Sequence, residues 1–178
     1  MKKILDLGCG YAKRHRPIKA GTGTEIVKLD IKEGYADVVH DMNEYPYPFE
    51  DNSFDEVHIN HSEYYVADKE KLMAEIHRIS RPGARVIIRS IHFSSLPLIG
   101  RETRYAFFTT IGSFGSFEKF EVKKVRLHYF VWESKLWKRI LSAPLDAIAN
   151  ISPRFTERVW CYLVGGFEEI QGELEVVK

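Results

Sequence analysis

Three short features of the chain carry residue types that can do chemistry, and their spacing fits one site. The first is Leu5-Asp6-Leu7-Gly8-Cys9-Gly10, an apolar run that ends in a Gly-x-Gly turn. Glycines there let the backbone turn tightly and come close to a ligand, although the same pair also serves as a plain tight turn. The second is Asp30, 20 residues after Gly10. A carboxylate at the end of a second strand stands beside that turn and can accept from both hydroxyls of a ribose. It can equally cap the turn that follows. The third is Asp41-Met42, a carboxylate for an adenine amino group and a thioether to pack on the ring, or else an Asx turn beside a buried methionine.

A dinucleotide site needs Gly-x-Gly-x-x-Gly/Ala. The frame here reads Gly8-Cys9-Gly10-Tyr11-Ala12-Lys13, so a lysine stands where close helix–strand packing demands a very small residue. No glycine-rich helix start follows to cradle a pyrophosphate. A mononucleoside without phosphates fits better than NAD, which weakens a nicotinamide-dependent oxidoreductase as a reading.

These residues need a scaffold, and short apolar runs alternating with helical patterns supply one: an α/β domain with a largely parallel sheet. Strands are expected over Ile4–Leu7, Glu25–Asp30, Ala36–His40, Ser53–Asn60 and Ala84–Ile91. Asp68–Ser80 carries Leu72, Met73, Ile76 and Ile79 on one helical face, and Arg81-Pro82-Gly83 is expected to end that helix. Further on, the pattern predicts a strand over Lys124–Trp132 and a helix over Lys135–Asn150 with a break near Pro144. Phe155–Leu163 fits a helix or a strand, with Gly165-Gly166 favouring the helix, and a last strand follows over Glu168–Val177. Residues 94–118, broken by Pro97, Gly100, Gly112 and Gly115 and rich in aromatics, read as a cap or insert.

His61, Tyr64 and Tyr65 follow the fourth strand, and His92 and Phe93 the fifth. Both groups fall at the carboxyl edge, where open α/β sheets place ligands. An imidazole, with an ordinary pKa of about 6.5, suits a general base there, or it simply lines the pocket. Lys13, Arg14, His15, Arg16 and Lys19 form a basic stretch able to attract a carboxylate or an anionic substrate.

The 178 residues make one domain's worth of chain, 44% hydrophobic and 29% charged. Lys plus Arg number 26 against 25 Asp plus Glu, a net charge of +1 that gives no global field for nucleic acid or an anionic membrane. A local basic patch stays open. Cys9 and Cys161 are too few for a disulfide framework, and no residues sit at metal-ligand spacing around Cys9. Asp6 interrupts any signal-peptide core, and no apolar run approaches the roughly 18 residues of a spanning helix. The expected location is the cytoplasm, with no membrane association.

At this point the residues resemble a family. Ile4-Leu5-Asp6-Leu7-Gly8-Cys9-Gly10 is similar to the first motif of class I S-adenosylmethionine-dependent methyltransferases. Tyr47-Pro48-Phe49-Glu50-Asp51-Asn52-Ser53-Phe54-Asp55 resembles the segment before their fourth strand. Leu72 to Ala84 resembles their helix leading into a Pro-Gly turn and strand five. The likeness is to the type 11 branch and covers residues 3–92. It implies a Rossmann-like, three-layer α/β/α fold with a mostly parallel sheet ordered 3-2-1-4-5-7-6 and strand seven antiparallel. It implies S-adenosylmethionine as cofactor, with Asp6, Gly8 and Gly10 shaping the methionine pocket and Asp30 on the ribose. Ile31 would pack on the adenine, Asp41 and Met42 would hold it, and Asn60 with His61 would line the methyl end. His61 and His92 are the candidate bases, although the sulfonium is already activated and alignment of nucleophile and methyl can dominate.

The implied activity is methyl transfer to a small-molecule acceptor, with RNA or another anionic acceptor second. The sequence departs from the family pattern by starting strand one almost at Met1 and by an irregular Tyr11–Gly23 stretch. Those departures motivate the alternative of a non-catalytic adenosyl-binding sensor or scaffold.

Overall fold

The apolar run that ends in the glycine turn becomes β1 (Lys2–Leu7), the centre of the sheet, flanked by two parallel partners, β2 (Thr24–Asp30) and β4 (Phe54–Asn60). The computed structural model describes residues 1–10, 18, 20–95, 107–130, 135–164 and 166–178. With β3 (Val38–Val39), β5 (Ser80–Ile91), β6 (Phe120–His128) and β7 (Glu169–Val176) the sheet runs β3-β2-β1-β4-β5-β7-β6. β7 alone is antiparallel to its neighbours. This is the expected class and strand order.

Side chains alternate across the sheet, so register decides what each face carries. Leu5 pairs with Val57 and Val57 with Val86; Leu7 pairs with Ile59 and Ile59 with Ile88. All six are buried and form one apolar face. The opposite face holds Asp6, His58, Asn60, Arg89 and Gln171 at the intervening positions.

Helix α1 (Lys69–Ile79) covers the apolar face with Leu72, Met73, Ile76 and Ile79, all within 1% of complete burial. Asp68 caps it by accepting from the Lys71 amide at 3.0 Å. Arg78 donates to the carbonyls of Phe49 and Tyr47 and pairs with Asp51, which fastens the loop before β4 beneath the helix.

Several boundaries differ from the pattern. α1 stops at Ile79 and β5 starts at once at Ser80, so Arg81-Pro82-Gly83 lies inside a strand. Pairing steps from Phe54–Ser80 to Glu56–Arg85, so β5 spends three extra residues there, and Gly83 takes φ +73°. The Pro-Gly pair builds a bulge instead of a helix stop. β3 keeps only two residues because the Asp37 side chain takes the Lys28 amide at 2.9 Å. β6 begins at Phe120, four residues early, since Phe120 pairs with Val176 and His128 with Glu169.

Helix α2 (Leu136–Ala149) runs through Pro144 without a break. Pro153–Phe155, Thr156–Trp160 with π-type bonding, and Cys161–Val164 continue as helical segments, settling the ambiguous stretch. Of the expected insert, 96–106 lie outside the described residues. Phe108 and Phe114 are fully buried core, and a Cβ on Gly172 would lie 2.3 Å from the Phe114 ring. Those two rings close the apolar face over β7 and do not roof an acceptor.

Candidate functional site

The carboxyl ends of β1, β2, β3 and β4 meet at the glycine turn. Gly8 and Gly10 have φ of +71° and +50°, values that side chains other than glycine's rarely adopt. The Gly8 and Cys9 amides both donate to the Leu29 carbonyl, at 2.8 and 3.1 Å, and the Gly10 amide donates to Asp30 Oδ2 at 2.8 Å. Asp30 Oδ1 accepts from the Lys32 amide at 3.0 Å. Asp30 therefore fastens the turn to the end of β2. Each carboxylate oxygen carries two lone pairs, so both keep capacity for a further donor.

Gly8 has little room. A Cβ there would sit 2.4 Å from Ser62 Cβ and 3.0 Å from Met42 Sδ. Ser62 in turn donates from Oγ to the Leu7 carbonyl at 2.8 Å. The close approach that requires glycine is thus made by the loop after β4. Met42 is buried and its carbonyl accepts from Tyr47 Oη at 2.9 Å. It is a core residue under the turn, not an open platform for a ring. Asp41 Oδ1 accepts from the Asn43 amide at 2.9 Å, an Asx turn. Asn43 itself donates to the Tyr65 carbonyl and accepts from the Ala67 amide, joining the loops after β3 and β4. Ile31 is 61% exposed beside Asp30, an apolar surface next to a carboxylate.

Below the turn, Asp6, Asn60, Arg89 and Gln171 form a row across four strands. Asn60 Nδ2 donates to Asp6 Oδ1 at 3.5 Å, Arg89 Nη1 to Asn60 Oδ1 at 2.5 Å, and Arg89 Nε to Gln171 Oε1 at 2.9 Å. Burial pushes the Asp6 carboxyl up, and the nearby His58 and the Asn60 bond oppose it. Burial, with Asp6 and Asp30 nearby, pushes the Cys9 thiol up to about 12, which makes it a poor nucleophile.

His61 follows β4 with φ +54°, and its Nε2 lies 3.0 Å from Oε2 of the buried Glu169 at the start of β7. Periodicity gave no sign of Glu169, because its partner is 108 residues away. Glu63, fully buried, accepts from Ser90 Oγ, and Lys69 donates to the Glu63 and Val66 carbonyls. Burial raises the Glu63 carboxyl and lowers the Lys69 ammonium to about 8. His92, expected at the edge, is instead completely buried: Nδ1 contacts Ser94 Oγ at 2.7 Å and Nε2 lies 3.4 Å from Glu157. It packs against Phe93 and Phe167, and the Phe93 amide donates to the Thr109 carbonyl at 3.0 Å.

The structure thus gathers Asp30, Ile31, Asp41, Gly8 and Gly10 around one turn, sets His61 at the end of β4, and leaves Met42, Asn60 and His92 packed inside. The basic residues Lys13, Arg14, His15, Arg16 and Lys19 lie outside the described residues. Among the described residues no cluster of three metal-ligating side chains occurs. The donor set suits the adenosine half of S-adenosylmethionine: a carboxylate with spare acceptor capacity for ribose hydroxyls, an exposed aliphatic side chain beside it, and a second carboxylate on the next loop.

Residues 5–88 match a family described as methyltransferase domain. The chain is 28% identical to the chloroplastic tocopherol O-methyltransferase of Arabidopsis thaliana over 103 residues, which is 49% of this chain and 30% of that protein. It is 30% identical to the demethylmenaquinone methyltransferase of Clavibacter sepedonicus over 112 residues, 56% of this chain and 45% of that one. The chain spans less than half the length of both relatives. The crystal structure of an S-adenosylmethionine-dependent methyltransferase from Archaeoglobus fulgidus shares the fold, with TM-score 0.58 at 18% identity over 98% of this chain and 86% of that chain. The methyltransferase-domain match, just under half of the chain, lies on a sheet of this order, with β7 reversed.

Proposed function

We propose that the protein transfers the methyl group of S-adenosylmethionine to a small, apolar acceptor. The observation that carries this reading is the Asp30 carboxylate, which grips the Gly10 amide and still has acceptor capacity at the mouth of the glycine turn. When bound, S-adenosylmethionine supplies an electrophilic methyl carbon on a sulfonium. Asp30 accepts from the ribose hydroxyls, Ile31 packs on the adenine and Asp41 takes its amino group. The Asp6–Asn60–Arg89 row sets the end of β4, and with it the backbone that carries His61. His61 receives the proton that the acceptor releases, and Glu169 orients the ring and steadies its charged form.

An apolar acceptor is supported by the two relatives, which are named for tocopherol and demethylmenaquinone. The sensor alternative draws no support from the described residues, since His61 and a carboxylate partner stand together at the end of β4.

Titration calorimetry with S-adenosylhomocysteine tests the reading. Binding in the micromolar range, about −8 kcal/mol, is expected for the native chain. Asp30→Ala should weaken it about tenfold or more, because a charge-assisted hydrogen bond contributes roughly 1.5–3 kcal/mol. Unchanged affinity in a folded Asp30→Ala variant would remove the basis of the assignment.

A further inference from the structure

α2 is built inside out. Its buried side is polar or small: Ser142 and Ala149 are within 3% of complete burial, and Asp146 and Asn150 face the end of β6. Asp146 Oδ1 accepts from the Tyr129 amide at 2.8 Å. Asn150 Oδ1 accepts from the Leu127 amide at 2.9 Å, and its Nδ2 donates to the Leu127 carbonyl at 2.7 Å. These bonds fix the rotation of the helix. The opposite side carries Leu136, Trp137, Ile140, Leu141 and Ile148, between 46% and 68% exposed. Ile151, Phe155 and Tyr162, at 81%, 56% and 72%, are likewise exposed in the segments that follow. Isolated exposed apolar residues are ordinary, but a continuous helical face of them marks a binding surface.

The charge of the segment says what it binds. Residues 135–162 hold five basic side chains, Lys135, Lys138, Arg139, Arg154 and Arg158, against two acidic ones, Asp146 and Glu157. Both acids have inward bonds, Asp146 to Tyr129 and Glu157 to the Ile111 amide at 2.7 Å. Lys135, Arg154 and Arg158 are exposed, so the charge offered outward is positive, in a chain whose total is only +1. Two copies meeting on this face across a twofold axis would bring like charges together. An anionic lipid surface meets both requirements at once: headgroups pair with the Lys and Arg side chains, and the acyl boundary accepts the apolar face, with Trp137 and Tyr162 suited to the interface between them.

We propose that α2 and the helical segments after it form a peripheral anchor that lies flat on an anionic membrane. No helix among the described residues is long and apolar enough to cross one. β6 is parallel to β1, β4 and β5 in direction, so α2 is seated at the carboxyl edge that also holds the glycine turn. The anchor would set that edge against the lipid. The proposal does not depend on methyl transfer, because binding to lipid is read without turnover.

The test is flotation of the full chain with vesicles of phosphatidylcholine alone and with about one third phosphatidylserine. The native protein should float with the anionic vesicles, bind the neutral ones about tenfold more weakly, and lose anionic binding as salt is raised. The double variant Ile140→Ser, Leu141→Ser should lose about tenfold or more of the binding while its thermal melting stays unchanged. Arg154→Glu with Arg158→Glu should lose binding to anionic vesicles only. No flotation of the folded native protein overturns the proposal. So does flotation that the apolar double variant leaves intact, which would place the lipid contact elsewhere. Self-association by light scattering, abolished by the same double variant and without flotation, would assign the face to a second copy.

Discussion

α1 and α2 are helices of similar amphipathic pattern with opposite fates. In α1 the apolar side chains at positions 72, 73, 76 and 79 are within 1% of complete burial, and Glu75 and Arg78 bond the loop before β4. In α2 the apolar side chains face water, while Asp146 and Asn150 turn inward to bond the end of β6. Periodicity reports that an apolar stripe exists; it does not report what covers it. That is decided by the polar groups on the other side. Those of α1 find partners in a surface loop. Those of α2 satisfy backbone groups at the end of an edge strand, which cost more to leave unpaired than an apolar face costs to expose.

The largest effect that could break this contrast lies in α1. Ile76 is fully buried in the main core cluster. Ile76→Ala should cost about 2–5 kcal/mol in urea unfolding. A loss below about 1 kcal/mol would mean that the α1 stripe is no more covered than that of α2.

The next effect tests whether the loops beyond α1 are as tightly closed as the helix itself. Gly8→Ala must adopt a φ of +71° and push against Ser62 Cβ at 2.4 Å. The expected loss is about 1–3 kcal/mol of stability, together with weaker binding of S-adenosylhomocysteine. A variant as stable as the native chain would show that the loop after β4 gives way readily.

A third prediction concerns charge on the buried side of this region. Glu63 has a carboxyl raised above the ordinary value of 4.5 by burial. Above that value the unfolded chain gives up the proton while the folded chain keeps it. The folded state then holds more protons, and stability falls as pH rises toward the folded value. Lys69, lowered to about 8 by burial, acts in the other direction and only between about 8 and 10.5. Melting curves at pH 5, 6 and 7 should therefore fall less steeply for Glu63→Gln than for the native chain. Equal slopes would show that Glu63 is ionised throughout.

Much of the fold was legible because β1, β4 and β5 are short apolar runs with turn residues between them, and because Leu72 to Ile79 follow a helical spacing. The strand boundaries were less so. Ser80 opens β5 because it pairs with Phe54, and Phe120 opens β6 because it pairs with Val176, and neither partnership leaves a local trace. The site divides in the same way. Gly8, Gly10 and Asp30 meet as their spacing suggested. Met42 and His92 are buried, Met42 against Gly8 at the turn and His92 beside Phe167. Glu169 joins His61 from the far end of the chain, a contact made by the reversal of β7 and invisible to any window of sequence.

The smallest effects give the sharpest form of the comparison, because in α2 they invert the usual order of importance. Asn150 serves the amide and the carbonyl of Leu127 together, at 2.9 and 2.7 Å, and both groups belong to a residue that is completely buried. Asn150→Ala leaves both without that partner and should cost about 1–3 kcal/mol. Ile140, 63% exposed on the other side, touches solvent in the isolated chain. Ile140→Ser should change stability by no more than about 0.5 kcal/mol, the ordinary range for a surface position. In α1 the same pair of experiments gives the apolar residue the larger effect. If urea unfolding instead shows Ile140→Ser to be the more damaging of the two in α2, the stripe is covered within the folded chain and the inversion is wrong. If Asn150→Ala is the more damaging, the polar side of α2 is what attaches it to the fold, and its apolar side is held outward at no cost to folding.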